Sequence, residues 1–289
     1  MIEVSRLNNL IKLCLTGLSP RQKEVIEGRY GLAASESLTL AELGSKYSLT
    51  RERVRQIEAT ALKAAKAKAE SGEFGDFVKT ASASLKSAGG LKREDLFIEE
   101  LAGAGQVNRL RFLLEISEKF NYSKADKGFY PYWYLNDSDK KKAESFAGYL
   151  VKNASRDNFS ASFAAAAKNF GLNDSVARSY ASVSKKVARN VFGNLGLSQW
   201  PEINPKTARD WAYLVLKKES RPLHFTKIAE MVTGLRNKKA HAPTVHNELI
   251  KDENFVLVGK GTYTLKEFGV VPGTARELIL HFLKKHGPM

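Results

Sequence analysis

A mainly α chain of tandem helix-turn-helix and winged-helix modules with short β-hairpin wings is the fold class these 289 residues predict, on three observations. Short amphipathic stretches open on capping residues and close on glycine turns, the punctuation of many brief helices. Several are followed by short apolar runs with glycine at a turn, which reads as a hairpin. Lys and Arg number 46 against 31 Asp and Glu, a net charge of +15 with a pI near 9.7, so the expected partner is a polyanion.

Residues 1 to 17 predict one short helix with Leu7, Leu10, Ile11 and Cys14 on one side. Ser19-Pro20-Arg21-Gln22 is a capping box with proline at the first helical position, starting a helix over 20 to 29 that ends near Gly31. Thr39 and Glu42 form a second capping box, and Gly44 permits the close backbone approach of a helix-turn-helix corner. The next helix starts at Thr50. Val54, Ile57, Ala61 and Leu62 share its packing face, leaving Arg51, Glu52, Arg53, Arg55 and Gln56 outward near its N-terminal end. That end of such a helix enters a major groove, where Arg and Gln pair with guanine and adenine edges and Glu accepts from cytosine. A solvated charged face with Arg51 and Arg55 paired to Glu52 and Glu58 is the plainer alternative. Beyond it Lys63, Lys66 and Lys68 either track phosphates or decorate a solvated helix end.

These residues also carry a resemblance. Leu18 to Ile26 with Arg29-Tyr30-Gly31-Leu32, then Leu40 to Gly44 and Thr50 to Ala59, resemble region 4 of bacterial RNA polymerase sigma factors. The resemblance implies reading of the promoter minus-35 element and a seat on the flap of the polymerase β subunit. By position, Arg51, Glu52 and Gln56 become base readers, and Arg53 and Arg55 base or phosphate contacts. It covers about a quarter of the chain and carries no weight beyond about Lys68. With only 17 residues ahead of Leu18, initiation by a stand-alone sigma factor is not expected.

Glycine and serine between 71 and 90 predict a linker. Helices over 95 to 101 and 107 to 116, then Phe129-Tyr130-Pro131-Tyr132-Trp133-Tyr134 as a return strand, outline a winged helix over 91 to 138. Five aromatics in those six residues read as the core of a small domain, with a base-stacking platform as the alternative. Residues 139 to 158 predict a connecting helix. A further helix-turn-helix outline over 155 to 203 has a helix around Phe163 to Phe170, then one capped by Asn173 or Asp174 that holds Arg178, Tyr180, Ser184, Lys185, Lys186 and Arg189; an irregular wing over 191 to 200 follows.

The last module, 204 to 289, predicts Asn204 as a cap with Pro205 opening a helix over 205 to 218. A short strand at 223 to 225, a helix over 226 to 233, the basic loop Arg236-Asn237-Lys238-Lys239, a helix over 243 to 251 and a hairpin through Gly259-Lys260-Gly261 complete it. Lys238, Lys239 and Lys260 are candidate DNA contacts, with ordinary surface charge as the alternative. Asp210 to Leu216, Pro222 to Ala229 and Phe255 to Tyr263 resemble the HARE-HTH domain, a family that includes the folded part of the RNA polymerase delta subunit. Where delta has an acidic tail, this chain ends Lys284-Lys285-His286-Gly287-Pro288-Met289.

The sequence shows no catalytic constellation, so the expectation is a binder and not an enzyme, with no cofactor. His241 and His246 are poorly spaced for shared metal ligation, and Gly259-Lys260-Gly261 lacks the spacing of a P-loop. The lone Cys14 excludes an internal disulfide framework, and no apolar run is long enough to span a bilayer. The expected setting is cytoplasmic and nucleoid-associated. The function these features favour is a sequence-specific, bacterial-type transcription regulator on double-stranded DNA, reading promoter-like sites through residues 50 to 58. The alternatives are a polymerase accessory protein acting through protein contacts, and the DNA-targeting component of a restriction or modification system.

Overall fold

The computed structural model describes residues 1–32, 36–69, 72–103 and 105–269. It is mainly helical, with small antiparallel sheets. The chain divides into two compact units, with the boundary between Lys185 and Lys186.

The first unit begins with four helices, α1 (Val4–Leu15), α2 (Pro20–Tyr30), α3 (Leu40–Tyr47) and α4 (Arg51–Lys68). Both predicted capping boxes form, at Ser19 with Gln22 and at Thr39 with Glu42. Gly31, left-handed at φ 61°, ends α2. Cys14 is fully buried on α1, and the loss of solvation pushes its thiol up to about 12.

The stretch expected as a linker is instead helix α5 (Gly72–Ser87). Phe74, Phe77, Val78, Ala81 and Leu85 fall on one helical stripe and are buried, and that apolar stripe outweighs the glycine and serine content. Next come β1 (Leu91–Arg93), α6 (Glu94–Ala102), α7 (Val107–Ile116), β2 (Asn121–Ser123) and β3 (Tyr132–Tyr134). The strands form an antiparallel sheet in the order β1-β3-β2. One continuous core runs from Leu7 and Leu10 of α1 through Ala61 and Ala65 of α4 to α5, α6, α7 and Trp133. Tyr30 of α2 meets Phe112 of α7 edge to face at 5.2 Å.

The aromatic run 129–134 is therefore mostly core. Tyr132, Trp133 and Tyr134 are buried, Trp133 Nε1 donates to the buried Glu94, and Tyr130 alone of the run is exposed. A base-stacking platform along the whole run is ruled out by that burial. The strand itself is shorter than expected, because Phe129 pairs in a bridge with Ser184 and not with β2.

Helix α8 (Asp137–Asn153) does more than connect, since Ala143, Phe146, Ala147 and Leu150 pack it against α9 (Phe159–Asn169) and α10 (Asp174–Ser182). Asn173 caps α10 by accepting from Val176 N.

The second unit opens with the hairpin β4 (Val187–Arg189) and β5 (Leu195–Leu197). The irregular wing expected over 191 to 200 is thus partly regular: Asn190 Oδ1 accepts from Phe192 N and Asn194 N, and Gly193 supplies φ 82° at the turn. Helix α11 (Ala208–Glu219) starts later than expected, because Thr207 and Asp210 form a capping box and displace Asn204 from that role. Then follow β6 (Leu223–His224), α12 (Phe225–Arg236), α13 (Ala242–Lys251), β7 (Phe255–Gly259) and β8 (Thr262–Leu265), the sheet running β6-β8-β7. Helix α12 passes through Gly234 without breaking. The terminal sequence 284 to 289 lies outside the described residues.

Candidate nucleic-acid interface

The corner between α3 and α4 is set by backbone chemistry. Thr39 Oγ1 accepts from Glu42 N at 3.2 Å while Glu42 Oε2 accepts from Thr39 N at 2.7 Å, and these bonds hold the Glu42 carboxyl below its usual range. Ser48 takes the left-handed conformation at φ 54°, and Leu49 N donates to Gly44 O at 2.9 Å. A Cβ on Gly44 would stand 2.7 Å from the Leu49 carbonyl oxygen, so only glycine lets the chain fold back this closely. Thr50 Oγ1 then accepts from Arg53 N at 3.1 Å and starts α4.

A small core fixes the two helices against α2. Val25, Leu43 and Val54 are fully buried, ringed by Leu38, Leu40, Tyr47, Leu49 and Ile57. Arg29 of α2 adds a clamp: its Nε donates to Glu58 Oε1 at 3.1 Å and its Nη1 to Leu38 O at 3.1 Å. Glu58 is thereby spent on holding α4 to α2, and does not pair with Arg51 or Arg55. Sequence reasoning missed this clamp, because its partners lie 29 residues apart and nothing in their spacing links them.

With Val54 turned inward, Arg51, Glu52, Arg53, Arg55 and Gln56 are all exposed on the first two turns of α4. Arg55 donates twice to the Glu52 carboxylate, at 2.8 and 2.7 Å, and Arg53 Nη1 donates to Gln56 Oε1 at 3.2 Å. The bond from Arg55 holds the Glu52 carboxyl below its usual range and raises Arg55, so both stay charged at neutral pH. Arg51 makes no hydrogen bond or ion pair among the described residues. Solvent-exposed pairs of this kind are weak and exchange readily, so they present donors and acceptors to an incoming base edge without locking them. Lys63 is exposed one face-repeat beyond Gln56, whereas Lys66 is tied to Glu118 at 2.6 Å and braces α4.

The remaining candidates are scattered. Arg178 lies on α10, held by Asp174 Oδ2 at 2.6 Å and lying over the Phe163 ring. Helix α10 ends at Ser182, so Ser184, Lys185, Lys186 and Arg189 are not on it as the sequence suggested, and Tyr180 is buried with its hydroxyl donating to Gly89 O. Lys185 Nζ donates to Asp126 O at 2.6 Å. Lys186 is exposed at the start of the second unit. In that unit Lys238 and Lys239 are exposed between α12 and α13, and Lys260 is exposed at the β7–β8 tip. His246 stacks on Phe225 at 4.2 Å, and His241 sits at the start of α13.

Against known proteins, residues 14–66 match the family Sigma-70, region 4. Over 49 residues the chain is 51% identical to RNA polymerase sigma factor SigA1 of Synechococcus elongatus, covering 17% of this chain and 12% of that protein. It is 46% identical over 63 residues to SigA of Microcystis aeruginosa, 21% of this chain and 15% of the relative. To SigA of Clostridium acetobutylicum it is 39% identical over 69 residues, 24% and 18%. No solved structure matches. The chain thus spans less than a fifth of the length of these relatives, and the matched stretch is the one that contains α2, α3 and the exposed start of α4.

Proposed function

We propose that this protein is a DNA-binding transcription regulator of bacterial type that reads promoter-like duplex through the start of α4. The observation that carries the reading is the set Arg51, Glu52, Arg53, Arg55 and Gln56, exposed together at a helix N-terminus inside the region 4 match. Arg51, Glu52 and Gln56 act as base readers, Arg53 and Arg55 as base or phosphate contacts, and Thr50 and Lys63 flank them. The helix-strand-helix-helix-strand-strand order of α11 to β8 supports a winged-helix reading of the second unit. Lys238, Lys239 and Lys260 would then add contacts to the phosphate backbone, and that order agrees with the HARE-HTH resemblance. The net charge of +15 and the lack of any helix long and apolar enough to cross a membrane among the described residues fit a nucleoid-associated, cytoplasmic role.

Selection from a random duplex library at near-physiological salt tests this reading. It predicts one enriched motif, bound about a thousandfold tighter than scrambled duplex. Absence of any motif, with binding that falls steeply in salt, would replace it by charge-driven association. A second reading, a polymerase accessory protein seated on the β flap, is favoured by the names of the relatives, all RNA polymerase sigma factors. It predicts co-purification with polymerase and sequence-blind DNA binding.

A further inference from the structure

Helix α5 lines a groove of about 610 Å³ together with Ala69, just past α4, and Ser117 and Lys119 of the turn after α7. Lys79, Lys86 and Lys119 line it together with the hydroxyl-bearing Ser82 and Ser117, and no carboxylate is among its described lining residues. All three lysines are exposed. Lys79 has Asp76 at 3.3 Å in a solvent-exposed pair; Lys86 and Lys119 have no ion-pair partner among the described residues. A second hollow of about 470 Å³ shares Lys86 and adds Lys142 beside Asn136 and Asn173, the caps of α8 and α10, against a single carboxylate, Asp139.

Lysines that outnumber the acids around a concave surface, here with Asp76 and Glu118 at its rim, hold a positive potential, and the ligand that relieves it is a chain of phosphates. The aromatic ring in the wall, Phe74, is buried and offers no face for a base. Helix α4 is 18 residues long, so its exposed arginines lie about 21–27 Å along the helix from Ala69 in the groove wall, and the two surfaces are distinct.

We infer that the α5 groove is a second nucleic-acid contact, which holds phosphodiester backbone away from the segment read by α4. The inference rests on the proposal that this chain binds DNA, and its contribution is blind to sequence. The test uses the full chain with K79Q, K86Q and K119Q combined, on a 40-base-pair scrambled duplex across a salt series. The slope of log affinity against log salt falls in magnitude by about 2.7, one counterion-release increment of about 0.9 for each lysine. The ratio of affinities for preferred and scrambled duplex stays unchanged. An unchanged slope overturns the inference. So does a variant that keeps duplex binding but loses binding to phosphatidylserine vesicles, which assigns the groove to a membrane surface. Failure of the α4 reading shows elsewhere, as a preference ratio that R51A does not alter, so the two are separable.

Discussion

The segments 72–134 and 208–265 share one order of elements, helix-strand-helix-helix-strand-strand, and one sheet order in which the third strand lies between the other two. They differ in the fate of the third helix. In the first, α7 buries Leu110, Phe112, Leu113, Leu114 and Ile116 and packs against α1, α2 and α4. In the second, α13 buries only Val245 and Leu249 and leaves Pro243, Thr244, Asn247, Ile250 and Lys251 exposed. One architecture thus serves once as a brace, which fixes the helices around α4, and once with its third helix largely exposed to solvent. The apolar content of the helix decides between the two: VNRLRFLLEI buries five large apolar residues and leaves Asn108, Arg111 and Glu115 as a narrow polar side, whereas APTVHNELIK buries two.

The largest effect that sharpens this contrast belongs to the brace. Phe112→Ala removes a fully buried ring at the contact with Tyr30 and costs about 3–5 kcal/mol in denaturant unfolding. It also weakens duplex binding through α4. A loss near zero would mean that the brace carries no load. Next is Glu94→Gln: Glu94 is buried and receives two bonds from Arg111, at 2.6 and 2.5 Å, so the change costs about 1–3 kcal/mol, read in the same assay. In the second module Thr264 Oγ1 is buried without a hydrogen-bond partner among the described residues, and Thr264→Val raises stability by about 1 kcal/mol. Smallest is Asn247→Ala on exposed α13, which shifts stability by less than about 0.5 kcal/mol; a shift of several times that would show that this side of α13 is packed, as the Phe112 side of α7 is.

Local chemistry is legible in the sequence, and long-range packing is not. The capping boxes at Ser19 and Thr39, the corner glycine Gly44 and the outward set from Arg51 to Gln56 all follow from residues a few positions apart, and each has the geometry its spacing implies. Helix α5 reads as a linker when its glycine and serine are weighed above the stripe Phe74, Phe77, Val78, Ala81 and Leu85. At the start of α11 two capping signals compete, and the Thr207–Asp210 box prevails by satisfying the donors on both sides of the helix start. The Arg29–Glu58 clamp and the α5 groove join residues far apart in sequence, and no periodicity announces them.

Base reading by α4 is the central claim, and Arg51→Ala measures it most directly. Arg51 makes no hydrogen bond or ion pair among the described residues and acts on Glu52 only through its charge, so the substitution leaves folding intact while removing a donor pair from the reading surface. Affinities of both proteins are measured on the selected duplex and on base-substituted competitors at one salt concentration. The account predicts a loss of about 1–3 kcal/mol on the selected duplex and a smaller loss on the competitors, so that preference relaxes. Equal losses on every duplex, with the preference ratio unchanged, would contradict it.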